Sequence, residues 1–167
     1  MKPRLRIVVF AAAVAAALAG AVAVRASQPV PLPEFEIAQL DGTPVQSQSG
    51  LPSSGKWLIV YVRPNCAPCD RLLNLIKKDA HPGLPSKMVV IAGGLDGLAA
   101  TEARARFKEL ADAQWYTDRP GKAWVALKVF GVPMVFGVRD RTIEWSLSGV
   151  LPSDAQVKSI LASWAAE

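Results

Sequence analysis

Only two residues of this 167-residue chain are cysteines, and they stand close together as Cys66 and Cys69. A Cys-x-x-Cys pair suits reversible thiol–disulfide chemistry, because two intervening residues let the sulfurs meet across the first turn of a helix. The pair lies between an apolar, strand-like run at 57–62 and a helix-like run that begins at Ala67. We therefore expect a dithiol at a strand-to-helix junction.

The two sulfurs are expected to differ. Unpaired backbone N–H groups and the positive end of the helix dipole favour a thiolate at a helix N-terminus, which predicts a lowered pKa for Cys66 and makes it the nucleophile. Cys69 falls one turn inside, on an apolar face, and is predicted to resolve the mixed disulfide that Cys66 forms with a partner. Pro68 falls in the first turn, where its fixed φ stiffens an active-site loop that also contains Asn65 and Ala67.

The surrounding sequence alternates between strand and helix patterns, which predicts a small α/β domain with a mixed sheet. The unbroken apolar run at 57–62 is typical of a central strand covered on both faces. Apolar residues recur at i, i+3, i+4 and i+7 from Cys69, so that one helix face should pack on the sheet. The other predicted elements are a strand and turn at 34–42, a polar loop at 46–55, a strand at 88–92, helices at 101–113 and 122–130, a hairpin at 134–147 and a capped helix from Ser153.

The beginning of the chain has a different composition. Three basic residues precede an uncharged, alanine-rich apolar stretch of 18 residues at 7–24, and small-residue sites follow it. We interpret 1–26 as a secretory signal peptide, with an uncleaved membrane anchor as the alternative. The proline-rich segment 27–33 is expected to be an extended tether, and 34–167 the folded domain.

The charge distribution argues against a nucleic-acid partner. The chain has a formal net charge of +5, from 19 basic and 14 acidic residues. Four of the basic residues and none of the acids lie in the leader, which leaves 15 against 14 and a net charge of about +1. Export would place the cysteines in a compartment where disulfides persist. We expect a periplasmic protein, either soluble after cleavage or anchored to the inner membrane.

Four sequence motifs together resemble the thioredoxin-fold superfamily, and in particular its exported TlpA-like branch. The resemblance covers the chain from Pro33 to the C-terminus. It implies a thioredoxin-like fold with a central mixed β-sheet flanked by helices. It also implies that Pro133 is a cis-proline facing the disulfide, and that Val132 offers its backbone to the substrate chain. The motifs are Glu34-Phe35-Glu36 to Asp41-Gly42, Gly55-Lys56-Trp57-Leu58-Ile59-Val60, Cys66-Ala67-Pro68-Cys69 and Gly131-Val132-Pro133.

An activity also follows from the resemblance. It implies a thiol-disulfide oxidoreductase that exchanges disulfides with protein substrates and with an upstream redox donor or acceptor, as a monomer without a cofactor. TlpA-like proteins are mostly reductases. Nothing in this chain resembles the inserted helical domain of the periplasmic oxidases or the dimerisation domain of the isomerases. Reduction of protein disulfides is therefore the expected direction.

Two positions depart from the family pattern. The family usually has a tryptophan just before the first cysteine, where this chain has Asn65. It often has an acidic or polar buried residue six places before that cysteine, where this chain has Val60. Without an acid there, deprotonation of Cys69 would depend on water or on groups of a partner. These departures keep a second hypothesis open, a non-catalytic partner-binding module with a dormant or structural disulfide.

Other roles for these residues are less favoured. A two-residue spacer closes a very short loop, so an inert bridge would add little chain-entropy stabilisation. A metal site is not expected, because structural zinc takes four ligands and the chain has no second cysteine pair. His81, the only histidine, falls in a loop rich in proline and glycine and is expected at the surface rather than as a catalytic base.

Overall fold

A computed structural model of the protein describes residues 28–79, 83–94, 97–148 and 153–166. The strands are β1 (Val30–Pro31), β2 (Glu36–Ala38), β3 (Pro44–Gln46), β4 (Lys56–Val62), β5 (Met88–Gly93), β6 (Gln114–Asp118), β7 (Met134–Arg139) and β8 (Thr142–Ser148). The helices are α1 (Ser47–Gly50), α2 (Ala67–Asp79), α3 (Gly97–Arg106), α4 (Lys122–Ala126) and α5 (Asp154–Ala165), with 3₁₀ turns at Pro85–Lys87 and Lys108–Leu110. The strands form one mixed sheet in the order β1-β8-β7-β4-β5-β6-β2-β3.

Strand β4 lies in the middle of the sheet, parallel to β5 and antiparallel to β7. All of its residues from Trp57 to Val62 are buried, as predicted for a strand covered on both faces. Because side chains alternate along a strand, Leu58 and Val60 enter one core and Ile59 and Tyr61 the other. The first core also contains residues of α2, α3 and α5, and the second contains residues of α4.

Helices α2 and α5 cover the first core in the way that their sequences predict. The apolar face of α2 is buried at Cys69, Leu72, Leu73 and Ile76. The predicted capping box begins α5, since the Ser153 hydroxyl accepts a hydrogen bond from the Gln156 backbone N–H. The Gln156 side chain accepts in return from the backbone N–H of Ser153.

The predicted hairpin is formed by β7 and β8, joined at Asp140 and Arg141. Both joining residues have positive φ, 46° and 61°, which is the conformation of a two-residue turn that matches the twist of the strands. The Asp140 carboxylate also accepts a hydrogen bond of 2.7 Å from the Gly55 N–H, just before β4 begins. The hairpin is therefore fixed directly to the central strand.

Two predicted helices are shorter than expected. The helix predicted at 101–113 ends at Arg106 as α3, because Phe107 leaves the helical conformation with φ −114° and ψ 48°. Phe107 is buried in the first core, as predicted. The helix predicted at 122–130 ends at Ala126 as α4, since Lys128 adopts the left-handed conformation with φ 52°. The loop predicted at 46–55 contains the short helix α1.

Strand β6 has no counterpart among the elements predicted from the sequence. Polar groups interrupt its apolar pattern, yet it pairs in parallel with β5. It also pairs antiparallel with β2, at Ala38. Its polar side chains find partners inside the fold, such as the Tyr116 hydroxyl, which donates to the Gly50 carbonyl at 2.7 Å. Long-range hydrogen bonds therefore stabilise β6, and its sequence lacks the alternating apolar pattern from which a strand can be predicted.

The proline-rich segment 27–33, predicted as a tether, contributes a strand to the sheet. Val30 of β1 pairs with Ile143 of β8, and the Leu32 N–H donates to the Arg141 carbonyl at 2.7 Å. Leu32 itself is buried in the second core. The predicted signal or anchor at 1–26 lies outside the described residues. In the part of the chain that the structure describes, no helix is long and apolar enough to cross a membrane.

A close contact between β7 and β8 gives a test of the packing. The Trp145 indole lies where a side chain on Gly137 would sit. We expect Gly137→Ala to lower the free energy of unfolding by about 1–3 kcal/mol, because a methyl group there forces the indole or the strand to move. Ser146→Ala, on the same hairpin, is the control, with an expected change below about 0.5 kcal/mol. Urea unfolding measures both, and equal stability of the two variants would contradict the described packing.

Candidate dithiol site

The cysteine pair lies at the edge of the sheet where the parallel strands β4, β5 and β6 all end. The chain leaves β4 after Val62, passes through an exposed loop at 63–65 and enters α2 at Ala67. Carboxyl ends of parallel strands are where α/β proteins commonly place their binding sites. The strand-to-helix junction predicted from the sequence is thus confirmed as a structural feature.

Cys66 and Cys69 form a disulfide, with their Cα atoms 5.2 Å apart. Cys66 occupies the cap position of α2, and its carbonyl accepts the first helical hydrogen bond, from the Asp70 N–H at 3.0 Å. Its sulfur accepts a hydrogen bond of 3.2 Å from the Cys69 N–H, in the place that a serine oxygen holds in an ordinary helix cap. In the reduced protein, the same N–H and the helix dipole would favour a thiolate at Cys66.

The two sulfurs occupy different environments. Cys66 is half-buried, whereas Cys69 is only 1 % exposed and lies in the first core with the apolar face of α2. A partner approaching from solvent therefore meets Cys66 first. The roles of Cys66 as attacking sulfur and Cys69 as resolving sulfur stay a prediction.

The residues of the predicted active-site loop are exposed around the disulfide. Asn65, Ala67 and Pro68 are all exposed, and Asn65 has φ 52° in the left-handed region. Asparagine is among the residues that enter this region at least cost, because its short polar side chain can hydrogen-bond locally. Asn65 therefore suits the backbone of the loop.

The peptide bond between Val132 and Pro133 is cis, as the family resemblance implies. Pro133 is buried and directly precedes β7, and Val132 is half-buried and packs against both cores. Tyr61 of β4 pairs with Met134 of β7, so the cis-proline enters the sheet at the edge from which β4 runs into the cysteine loop. The register brings these two segments together, and the role of Val132 and Pro133 in substrate binding stays a prediction.

A cleft of about 490 Å³ opens on the α3 side of the disulfide and reaches Cys69. Val60, at the position where the family often has an acid, is fully buried and apolar. The carboxyl groups that line the cleft come instead from Asp70 of α2 and Glu102 of α3. Asp70 lies 3.8 Å from the guanidinium of Arg106, which also lines the cleft. The sequence does not reveal this grouping, because α3 reads as an ordinary solvated helix.

A buried polar pair lies on the opposite face of the sheet from Cys69. The Tyr61 hydroxyl donates to Oδ2 of Asp118 at 2.8 Å, and the backbone N–H of Trp124 donates to the same oxygen at 2.8 Å. Burial raises the pKa of Tyr61, and its hydrogen bond to the Asp118 carboxylate raises it further. The pair joins β4, β6 and the first turn of α4, so it fixes α4 beside the strand that carries the cysteine loop.

The remaining sequence predictions about ligands concern metals and His81. Among residues 28–79, 83–94, 97–148 and 153–166, no group of three or more acidic, cysteine or histidine side chains is placed to hold a metal ion. His81 lies outside the described residues.

No family model matches the chain, and no curated protein matches it. Solved structures do match. A secreted Mycobacterium tuberculosis disulfide oxidoreductase homologous to Escherichia coli DsbE superposes with a TM-score of 0.61 at 16% identity, over 77% of this chain and 95% of that one. DsbF of the same organism gives a TM-score of 0.62 at 19% identity, over 81% and 98%.

A third structure extends the likeness to another organism. A thiol:disulfide interchange protein of the thioredoxin family from Chlorobium tepidum superposes with a TM-score of 0.56 at 17% identity, over 81% of this chain and 98% of that one. The three likenesses span nearly the whole of each neighbour. The chain has a thioredoxin-like fold, a mixed sheet flanked by helices, as the resemblance of its motifs implies.

The different environments of the two sulfurs predict unequal thiol reactivity. In the reduced protein, we expect iodoacetamide to modify Cys66 about tenfold faster than Cys69 or more, since Cys66 is accessible at a helix N-terminus and Cys69 is buried. Quenched time points, followed by peptide mapping in a mass spectrometer, measure the two rates. Equal rates would show that the described burial does not control reactivity.

The buried tyrosine predicts a loss of stability in alkaline solution. Because the pKa of Tyr61 is higher in the folded than in the unfolded state, its contribution is complete below about pH 10 and falls as the pH rises above that value. Tyr61→Phe should cost about 1–3 kcal/mol at pH 8, because Asp118 loses a donor, and should make the alkaline decline shallower. Urea midpoints at pH 8, 9, 10 and 10.5 test this.

Tyr116→Phe is the matched comparison, since burial raises the pKa of Tyr116 as well but its hydroxyl bonds a backbone carbonyl rather than an acid. Parallel pH profiles for the wild type and Tyr61→Phe would contradict the account of the Tyr61–Asp118 pair.

Proposed function

We propose that the protein is an exported thiol-disulfide oxidoreductase that reduces protein disulfides through a mixed disulfide at Cys66. The observation that carries this proposal is the Cys66–Cys69 disulfide at the N-terminus of α2, with an accessible outer sulfur and a buried inner one. The matching structures include a disulfide oxidoreductase and a thiol:disulfide interchange protein, which supports the same chemistry here.

Reduction begins with both cysteines as thiols. The Cys66 thiolate attacks one sulfur of the substrate disulfide, and the other substrate sulfur leaves as a thiolate. Cys69, once deprotonated, attacks the Cys66 sulfur of the mixed disulfide and releases the second substrate thiolate. Two electrons pass to the substrate, and the protein is left with the Cys66–Cys69 disulfide. An upstream dithiol donor must then return two electrons to restore Cys66 and Cys69.

The substrate chain is proposed to lie along the segment that precedes β7. Val132 would offer its backbone groups to an extended substrate, and Pro133 would shape the floor of the site beside the disulfide. Pairing of main chains holds an extended partner with little dependence on its sequence. This arrangement would place a substrate cysteine beside the accessible Cys66 sulfur.

Resolution requires that Cys69 lose its proton without an acid at Val60. The cleft supports a route for this proton, because Cys69, Asp70 and Glu102 all line it and water entering it would link the thiol to a carboxyl group. The missing acid would then be replaced by solvent and by a neighbouring helix.

The proposed direction and location rest on different observations. Reduction follows from the TlpA-like motifs, since that branch consists mostly of reductases. Export follows from the basic and apolar leader at 1–26, and one matching structure belongs to a secreted protein. The protein would act in the periplasm, either free or held to the inner membrane by its leader.

The second candidate is a binding module that keeps the fold but does not cycle its disulfide. The departures at Asn65 and Val60 favour it, because the chain lacks the residue that is usual in the family at the first position and the acid that is frequent at the second. The two candidates differ in whether a partner becomes covalently bound to Cys66, which a trapping experiment measures directly.

Trapping uses the variants Cys69→Ser and Cys66→Ser, both reduced and then mixed with a protein that contains disulfides, such as insulin. We expect Cys69→Ser to accumulate a mixed disulfide, visible on a non-reducing gel, because the resolving sulfur is absent. Cys66→Ser should form none, and wild-type protein with excess dithiothreitol should reduce insulin catalytically. No adduct and no catalysis would favour the binding module.

A further inference from the structure

Three large apolar side chains are exposed in the part of the chain that the structure describes, and two of them, Val125 in α4 and Phe130 just after it, are five residues apart. Val125 is 74% exposed and Phe130 is 73% exposed, whereas the third, Val30, belongs to the edge strand β1. Exposed apolar groups that cluster beside a candidate site mark a surface for a partner more often than scattered ones do.

The end of α4 brings Val125 and Phe130 to one region. The Lys128 N–H donates to the Val125 carbonyl at 3.1 Å, and the Val129 N–H donates to the Trp124 carbonyl at 2.9 Å. Together with the positive φ of Lys128, these two bonds form the Schellman motif, which reverses the chain. Val129 then points into the second core, and Phe130 stays outside, three residues before Pro133.

The same region carries positive charge. The chain contains no acidic residue from 119 to 139. Lys128 is exposed and, within the described residues, forms no ion pair. The Arg63 guanidinium lies 4.8 Å from the centre of the Trp124 ring, so that a cation from the cysteine loop also lies over α4. We call Arg63, Val125, Lys128 and Phe130, around the half-buried Trp124, the α4 surface.

We propose that the α4 surface selects protein substrates that have an apolar residue next to the reacting cysteine and acidic residues on either side of that apolar residue. This inference rests on the proposed function, because a docked segment is useful only if its sulfur reaches Cys66. Val132 and Pro133 would hold any extended main chain, whereas the α4 surface adds selectivity through side chains. Apolar contact would cover Phe130 and Val125, and carboxylates would meet Arg63 and Lys128.

The test compares two model substrates with the same internal disulfide. One peptide carries a leucine between two glutamates beside its disulfide, and the other carries the same leucine between two lysines. Their second-order rate constants with the reduced protein are measured in 20 mM and 500 mM salt. We expect the acidic peptide to react about tenfold faster at low salt and this preference to shrink at high salt, because steering by charge is screened.

Variants test whether the preference for the acidic peptide depends on the α4 surface. Lys128→Glu should reduce or reverse the preference for the acidic peptide, and Phe130→Ser or Val125→Ser should slow its reaction several-fold. Val30→Ser, at the exposed valine on the far edge of the sheet, is the matched control and should leave the rates unchanged. Urea unfolding checks that each variant is folded. Equal rates for the two peptides, or equal effects of Phe130→Ser and Val30→Ser, would overturn the proposal.

Two further measurements distinguish failure of the docking proposal from failure of the proposed function, and substrate docking from self-association. Bis(2-hydroxyethyl) disulfide is small and uncharged, so its reduction by the wild-type protein reports the proposed activity without the α4 surface. If wild-type protein reduces it but does not distinguish the peptides, the docking proposal fails and the proposed function stands. If sedimentation shows a dimer that Phe130→Ser converts to a monomer, the surface binds a second copy and the proposal is wrong.

Discussion

Burial of β4 on both faces is the constraint on which the rest of the structure depends. The strand is held between β5 and β7, and its side chains alternate between two separate cores. Its end fixes the start of α2 and hence the position of Cys66. Its pairing with β7, through Tyr61 and Met134, fixes where the cis-proline enters the sheet. A slip of one residue would exchange the two cores and displace both the cysteine loop and the cis-proline.

Elements with strong local patterns could be predicted from the sequence. The apolar run of β4, the spacing of apolar residues on α2 and the Ser153 capping box each depend on neighbouring residues alone. The cis bond before Pro133 could be predicted only through the family resemblance, since few X-Pro bonds are cis. The candidate dithiol could be predicted because the two-residue spacing of Cys66 and Cys69 lets their sulfurs meet across one helical turn.

Features that depend on distant contacts could not be predicted. Strand β6 mixes polar and apolar residues, and its hydrogen bonds to β4 and α1 explain how it holds a buried Asp118 and a half-buried Tyr116. The cleft at Cys69 depends on α3, whose residue Glu102 has no local signal of a role. The early end of α4 depends on the left-handed conformation of Lys128, and a lysine is not a residue type from which that conformation can be predicted.

In the proposed function, Cys66 and Cys69 are a redox couple rather than a structural bridge. Equilibration of the protein in thiol redox buffers, with the oxidised fraction read from alkylation, measures its reduction potential most directly. We predict a value between that of thioredoxin, about −270 mV, and that of the strong oxidants, about −120 mV. A potential below about −300 mV, where structural disulfides lie, would contradict it.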